Sequence, residues 1–369
     1  MATAIAQPVD PLKIYRSDPL IPLGYGQREL SSFEKYRIQR EMVRLNRNAK
    51  DELDRGKVDS AVDLLYRQLR LSRAIEPKTE IQALGKVGAI FWDRNLSEDV
   101  RNVADRLMAI QDREIVDSQP SLELLSYLAT AYEAVRYLDK AIDIYQQSLA
   151  TNNLQPDRTD RTIDKLGELY LSIFDYENAA SIYQQKLDRN VSNEEREAIL
   201  KTLIDIYDRT GKIDRAIASK QNLIEQYRLQ NKTYKIPALQ MAIAYDLEAS
   251  NRTKLALEAY DKAFDLASDT KQLYLASNAL IKIGKLHQTK NNLQRAIDTY
   301  RRAIAVQQQS NNYYGLLNTY DTLGQIYLDL NQKELAKQSF QQGLVIAQSI
   351  NYKSDYFRDR LKKIYSRSN

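Results

Sequence analysis

The residues that could do chemistry are few, and His287 heads them as the single histidine in 369 residues. One imidazole leaves no histidine pair for a metal, no HExxH helix and no second imidazole ligand. The absence of cysteine removes thiolate nucleophiles, thiolate metal sites, disulfides and lipidated cysteines. Neither a P-loop, a GxGxxG turn nor a GxSxG nucleophile elbow occurs. Carboxylates are plentiful, but none stands in a motif. The sequence therefore assigns no catalytic residue, no metal ligand and no cofactor, and it reads as a non-enzyme.

Binding is better represented. Trp92 is the only tryptophan, and tryptophan often anchors interfaces. Tyrosines number 25 against 6 phenylalanines, a bias that suits thin helical layers whose core rings have a wet tip. The net charge of +5 is unevenly spread, with both ends basic and a slightly acidic middle, far from the dense basic stripe of a nucleic-acid binder. No apolar run approaches the ~20 residues of a membrane-spanning helix. As written, the chain is expected to be cytoplasmic. Ala2-Thr3-Ala4 and Ala4-Ile5-Ala6 have the small-x-small form of a signal-cleavage site, so an exported protein is the alternative.

Three stretches position these residues. Residues 1–30 hold Pro8, Pro11, Pro19 and Pro22, half of all the prolines, and are expected to form an extended strap, part of it lying on the protein's own surface, with a disordered leader as the alternative. Ser31 with Glu34 has the form of a capping box and opens a long helix. Ile38, Met42, Leu45, Ala49 and Leu53 share one face of it, with Arg37, Arg40, Arg44 and Arg47 roughly opposite. Those arginines read as a solvated face or as a weak contact to an anionic surface. Beyond them one pattern recurs every 37 to 42 residues, as in Gly167, Tyr170, Ala179 and Tyr183. A period in this range means stacked repeats.

The pattern resembles that of the tetratricopeptide repeat (TPR) family, whose units are helix hairpins. There, small residues at sites 8 and 20 let the helices approach, and large ones at 11 and 24 fill the layer. Site 8 here reads Ala49, Gly88, Ala129, Gly167, Ile204, Ala242, Gly284 and Gly324. Site 11 reads Glu52, Phe91, Tyr132, Tyr170, Tyr207, Tyr245, His287 and Tyr327, which makes His287 structural filler. Site 20 is alanine from Ala61 to Ala336, Val100 excepted. Ile204 and Lys220 depart from the pattern in the fifth unit, and the sixth needs two extra residues within 248–253. The resemblance implies an all-α, right-handed superhelical solenoid of about eight repeats over 31–352, closed by a C-terminal capping helix and tail at 353–369.

In that family the first helix of each unit lines a concave groove through sites 2, 5, 9, 12 and 13. Carried over, these sites nominate a shallow pocket of Gly85 and Ala89 beside Trp92. They also nominate an acidic stretch of Glu123, Glu133, Asp164 and Glu168, and an apolar stripe of Ile236, Leu239, Ile243 and Leu247 adjoined by Ile281. That stripe is either a partner's seat or buried by the protein itself. The implied function is a non-catalytic scaffold or assembly factor that binds another protein or peptide segment in the groove. A peptide-sensing regulator is the second reading; an enzyme is set aside for want of a motif. The lysine and asparagine order that grips chaperone carboxylates in some members is not matched.

Overall fold

The computed structural model describes residues 11–14, 18–116, 121–151, 156–189 and 191–366. Among them it is all-α, with 17 α-helices and one short 3₁₀ turn. The packing divides into two compact units, residues 1–186 and 187–369. The first unit contains α1 (Ser32–Asp54), α2 (Val58–Arg73), α3 (Pro77–Asp93), α4 (Ser97–Val116), α5 (Leu122–Ala134), α6 (Leu138–Ala150), α7 (Pro156–Ser172) and α8 (Tyr176–Leu187). The second contains α9 (Asn193–Arg209), α10 (Ile213–Leu229), α11 (Ile236–Ala249), α12 (Thr253–Asp269), α13 (Leu273–Thr289), α14 (Leu293–Gln309), α15 (Tyr313–Asp329), α16 (Lys333–Ser349) and α17 (Ser354–Ser366). Consecutive helices pair into eight hairpins, and α17 follows the last.

Each hairpin turns the same way, for a reason visible in its backbone. Three residues join the helices, and the middle one has left-handed φ: Gly56, Asn95, Arg136, Phe174, Gly211, Asn251, Asn291 and Asn331. Such a residue lets the next amide reach back and cap the helix, the Schellman arrangement. The accepting carbonyl belongs in turn to Glu52, Phe91, Tyr132, Tyr170, Tyr207, Leu247, His287 and Tyr327. In seven hairpins that residue is the one at site 11. In the sixth it is Leu247, not Tyr245.

This corrects the sequence alignment of the sixth repeat. Its connector has the same length as the others, so no residues are inserted. The two-residue surplus disappears once Ala244, which is fully buried, takes site 8 in place of Ala242. Sites 8 at Ile204, Ala244, Gly284 and Gly324 are then evenly spaced by 40 residues. Each helix from α12 to α16 is 17 residues long and each turn three, so left-handed residues recur every 20 positions from Asn231 to Asn351.

The site 8 residue is small because a ring lies across it. A Cβ placed on Gly284 would sit 2.7 Å from the ring of Tyr300, and one on Gly324 would sit 2.5 Å from Phe340. Gly167 stands in the same relation to Tyr183, at 2.7 Å. Core tyrosines keep their polar tips satisfied, as their amphipathic character requires. Tyr132 is fully buried yet its hydroxyl donates to Gln111 at 2.6 Å, and Arg301 donates to the Tyr327 oxygen at 2.9 Å. Helix α17 closes the second unit's core with Phe357 and Ile364.

The described part of the N-terminal strap packs on α1 and α2. Ile21 and Leu30 join Ile38, Leu45, Leu71 and Ala74 in one apolar cluster, with Ile14, Leu20 and Tyr25 at its margin. Three arginines of α2 hold it: Arg67 binds Asp18 at 2.9 Å, Arg70 the Pro11 carbonyl at 2.9 Å, and Arg73 the Leu12 carbonyl at 3.0 Å. The capping box forms as expected, with the Ser31 amide donating to Glu34 at 2.8 Å and the Glu34 amide to Ser31 at 3.3 Å. Arg28 adds a charged pair to Glu34, and these bonds hold the Glu34 carboxyl down at about 2. The alanine-rich start, residues 1–10, lies outside the described residues.

Candidate functional site: the first-helix grooves

In most hairpins the first helix buries sites 8 and 11, with Glu52, Ile204 and His287 only half-buried, and leaves its other face to a groove. Within the first unit this face forms a cleft of about 500 Å³ between α5 and α7, lined by Glu123, Ser126, Tyr127, Thr130, Arg161, Asp164, Lys165 and Glu168 among others. Three of the four acids nominated from sequence line it, and Glu133 stands at its edge. Their expected acidity is not what the cleft presents. Lys78 pairs with Glu123 at 2.6 Å. Lys165 bridges Glu133 at 3.4 Å and Glu168 at 3.5 Å, and the nearly buried Lys186 pairs with Asp164. Arg158 and Arg161 add further positive charge to the lining. The groove is a lattice of opposite charges: lysines distant in sequence fold onto Glu123, Glu133 and Asp164, and Lys165 meets Glu168 one helical turn away.

A clasp braces the groove wall. The Tyr145 hydroxyl donates to Glu133, from site 24 to site 12 of one hairpin. Burial first, then that carboxylate, pushes the phenol well above its ordinary range, so it remains a donor. Tyr260 donates likewise to Glu248, and Tyr300 to Gln288 at 3.2 Å.

The pocket expected beside Trp92 is not built. Gly85 is closed over by α5, since a Cβ there would meet the Ala131 backbone at 3.1 Å. Glycine serves here for helix–helix approach. Trp92 itself is 46% exposed and remains available.

Two stretches of the chain match sequence models described as tetratricopeptide repeat: residues 275–349, and the tandem pair 124–161 and 162–197. They coincide with hairpins whose small-residue, ring and turn geometry is given above. The chain carries tetratricopeptide repeats. No curated protein matches its sequence. Among solved structures it is similar to BtubC from P. vanneervenii, with 18% identity, TM-score 0.37, and coverage of 58% of this chain and 90% of that one. The C-terminal part of a TPR repeat-containing protein from Cytophaga hutchinsonii shows 12% identity and TM-score 0.41 over 75% and 99%. Aspartyl phosphate phosphatase F from Bacillus subtilis shows 15% identity and TM-score 0.41 over 77% and 83%. At these levels the likenesses say nothing of what this TPR chain binds.

The corrected register changes the groove of the sixth repeat. Ile236, Ile243 and Leu247 are buried at 1%, 4% and 8% exposure, so they are core of the second unit and offer no docking stripe. Leu239 is half-buried, and Ile281 packs partly against the C-terminal core. The residue turned outward is Tyr245, at site 9, with Lys282 over its ring at 4.6 Å and Tyr260 against its edge at 5.7 Å. Lys282 also reaches Glu248 at 3.5 Å.

A second cleft, of about 490 Å³, lies along α13 and α15. Asn278, Ile281, Lys285 and Gln288 of repeat seven line it, with Asn318, Asp321 and Gln325 of repeat eight and Arg360 of α17. Sequence analysis reaches only Ile281 here. Asn278 and Asn318 occupy site 2 of successive repeats, and among the described residues neither side-chain amide makes a hydrogen bond. Arg360 reaches Gln325 at 3.2 Å and Asp321 at 3.5 Å, so α17 walls the cleft as well as capping the core. His287 is half-buried, and burial, then Arg295, hold its pKa below the usual imidazole value. It lies at site 11, apart from this lining.

Among the described residues no helix is long and apolar enough to cross a membrane.

Proposed function

We propose that the chain is a non-catalytic scaffold that holds an extended polypeptide along the first-helix grooves, with the α13–α15 cleft as its principal seat. The observation that carries this reading is the pair Asn278 and Asn318, repeated at one site 40 residues apart in a single cleft. An extended peptide presents a carbonyl and an amide at every residue, and a carboxamide offers both a donor and an acceptor to meet them. Lys285 and Arg360 supply positive charge beside the amides, and Asp321 is engaged by Arg360 and Tyr356. Such a lining reads main chain and acidic side chains better than apolar ones. The first unit's charge lattice at Glu123, Glu133, Asp164 and Glu168 would add polar contacts, and Trp92 an exposed aromatic one.

Site-specific photocrosslinking tests this. A benzophenone amino acid at position 278 or 318 of the full chain should capture a discrete polypeptide in native cells. The same probe at exposed Arg301 of α14 should not. Equal capture from both faces, or none from the groove, contradicts the reading.

A further inference from the structure

The groove leaves one surface unexplained, the outward face of α1. Phe33, Tyr36, Arg37, Arg40, Val43, Arg44, Arg47 and Lys50 recur at spacings of three and four and all are exposed. At 100° per residue they fall within an arc of about 140° and extend for about 25 Å. Phe33 is 69% exposed, Tyr36 54% and Val43 64%, so large apolar side chains stand among five cations. Of the five cations, only Arg44 meets a neighbouring acid among the described residues. Glu34 is taken by Arg28 and Ser31, and Glu41 by Arg44 and, from the other side, Arg67. Among the described residues Arg37, Arg47 and Lys50 form no ion pair, and Arg40 rests near the Tyr36 ring at 5.9 Å. The opposite face, Ile38, Leu45, Ala49 and Leu53, is buried and fixes the helix in place.

We propose that this face of α1 docks the protein onto an anionic phospholipid bilayer surface. Charge complementarity points there: five cations along one straight helix match a sheet of phosphates better than a small ligand. The apolar residues sharpen the choice. They are spread singly along the arc instead of gathering into one anchor, so each can sink between headgroups while its neighbouring cations stay at the phosphate level. A protein partner would more readily use a clustered, fully desolvated hot spot. The helix lies flat on the surface and does not insert across it, since its other side is the core of the first repeat.

Sedimentation of the full chain with vesicles tests this, using phosphatidylcholine alone or mixed with phosphatidylglycerol. Binding should require phosphatidylglycerol and weaken as ionic strength rises. The Arg37→Gln/Arg40→Gln/Arg47→Gln variant should lose on the order of 100-fold in partitioning. Phe33→Ser/Val43→Ser should lose about tenfold or more with the charges intact. Both variants change exposed side chains, so circular dichroism should match the parent. Absence of binding to phosphatidylglycerol vesicles overturns the proposal, as does binding that both variants retain. If the serine variant binds as well as the parent and polyglutamate displaces the vesicles, the face is for an acidic polypeptide and the bilayer is excluded.

Discussion

Lys220 donates to Asp246 at 2.7 Å, joining the second helix of the fifth repeat to the first helix of the sixth. Its ammonium also binds Asp208 at 2.8 Å and is 4% exposed. Lys220 occupies site 24, where repeats three, four, six, seven and eight place a ring across a small site 8. The fifth repeat instead has Ile204 at site 8. A slim side chain and a bulky one have exchanged places, and the ammonium replaces the tyrosine hydroxyl that clasps site 12 elsewhere.

This exchange predicts coupling between the two sites. Lys220→Tyr and Ile204→Ala should each lower stability by about 1–3 kcal/mol, one by overpacking and one by leaving a void. Together they should cost at least ~1 kcal/mol less than their sum, because the usual ring-over-alanine pairing is restored. Denaturant unfolding of the four proteins measures it. Simple additivity would show that the sites are independent.

Gly284 tests the same layer from the other side. Alanine there removes a helix-interior glycine, a gain of about 0.8–1.0 kcal/mol. Its Cβ would stand 2.7 Å from the buried Tyr300 ring, so the ring must move by the better part of an ångström. Gly284→Ala should therefore lower stability by about 1 kcal/mol in thermal unfolding, and Gly284→Val by about 2–3 kcal/mol.

Lys271 holds a left-handed φ of 57° in a series otherwise filled by asparagine from 231 to 351. A side chain there costs about 1 kcal/mol that glycine avoids. Lys271→Gly should raise the melting temperature by a degree or two. An unchanged or lower value would mean that the lysine makes a compensating contact.

Removal of residues 1–30 should uncover Ile38, Leu45 and Leu71 and take Asp18, the Pro11 carbonyl and the Leu12 carbonyl away from Arg67, Arg70 and Arg73. The first hairpin is expected to fray, seen as faster amide exchange in α1 and α2 with α9–α16 unchanged. Uniform protection across α1 and α2 would show that the strap is dispensable for stability.

Glu197 is held at about 2, first by Lys201 and then by Lys235 and Tyr227. A carboxyl depressed in the folded state stabilises fully above its ordinary value of 4.5 and loses that stabilisation as pH falls toward 2. Glu197→Gln should therefore flatten the acid limb of the stability curve between those values, with little change in its slope near neutrality. An unaltered acid limb would remove Glu197 from the account.

Much of the fold was legible because close helix packing constrains residue type strongly. Gly167, Gly284 and Gly324 announce rings that must lie across them, and the same phase recurs through eight hairpins. The sixth register was misplaced because Tyr245 has the side chain expected at site 11, while the buried Leu247 does not. The better signal was backbone chemistry: asparagine returning every 20 residues at left-handed turns fixes the frame without reference to ring or alanine. Of the nominated site residues, Ile236, Ile243 and Leu247 went to core with that shift. Glu123, Asp164 and Glu168 do line a cleft, but Lys78 and Lys186, the partners of Glu123 and Asp164, could not be read from a linear chain; only Lys165 with Glu168, at i,i+3, could.

The sequence by itself determined the helix hairpins, their number and the family, since these rest on local periodicity, turn residues and the size of side chains at fixed spacings. Tertiary structure alone decided which carboxylates are neutralised, that Tyr245 faces outward, that Asn278 and Asn318 share a cleft, and that α1 leaves cations and large apolar residues together in solvent. The physical reason is range. Helix and turn preferences act over a few residues, whereas burial and charge pairing depend on partners that only folding brings together, such as Lys78 with Glu123 or Arg67 with Asp18.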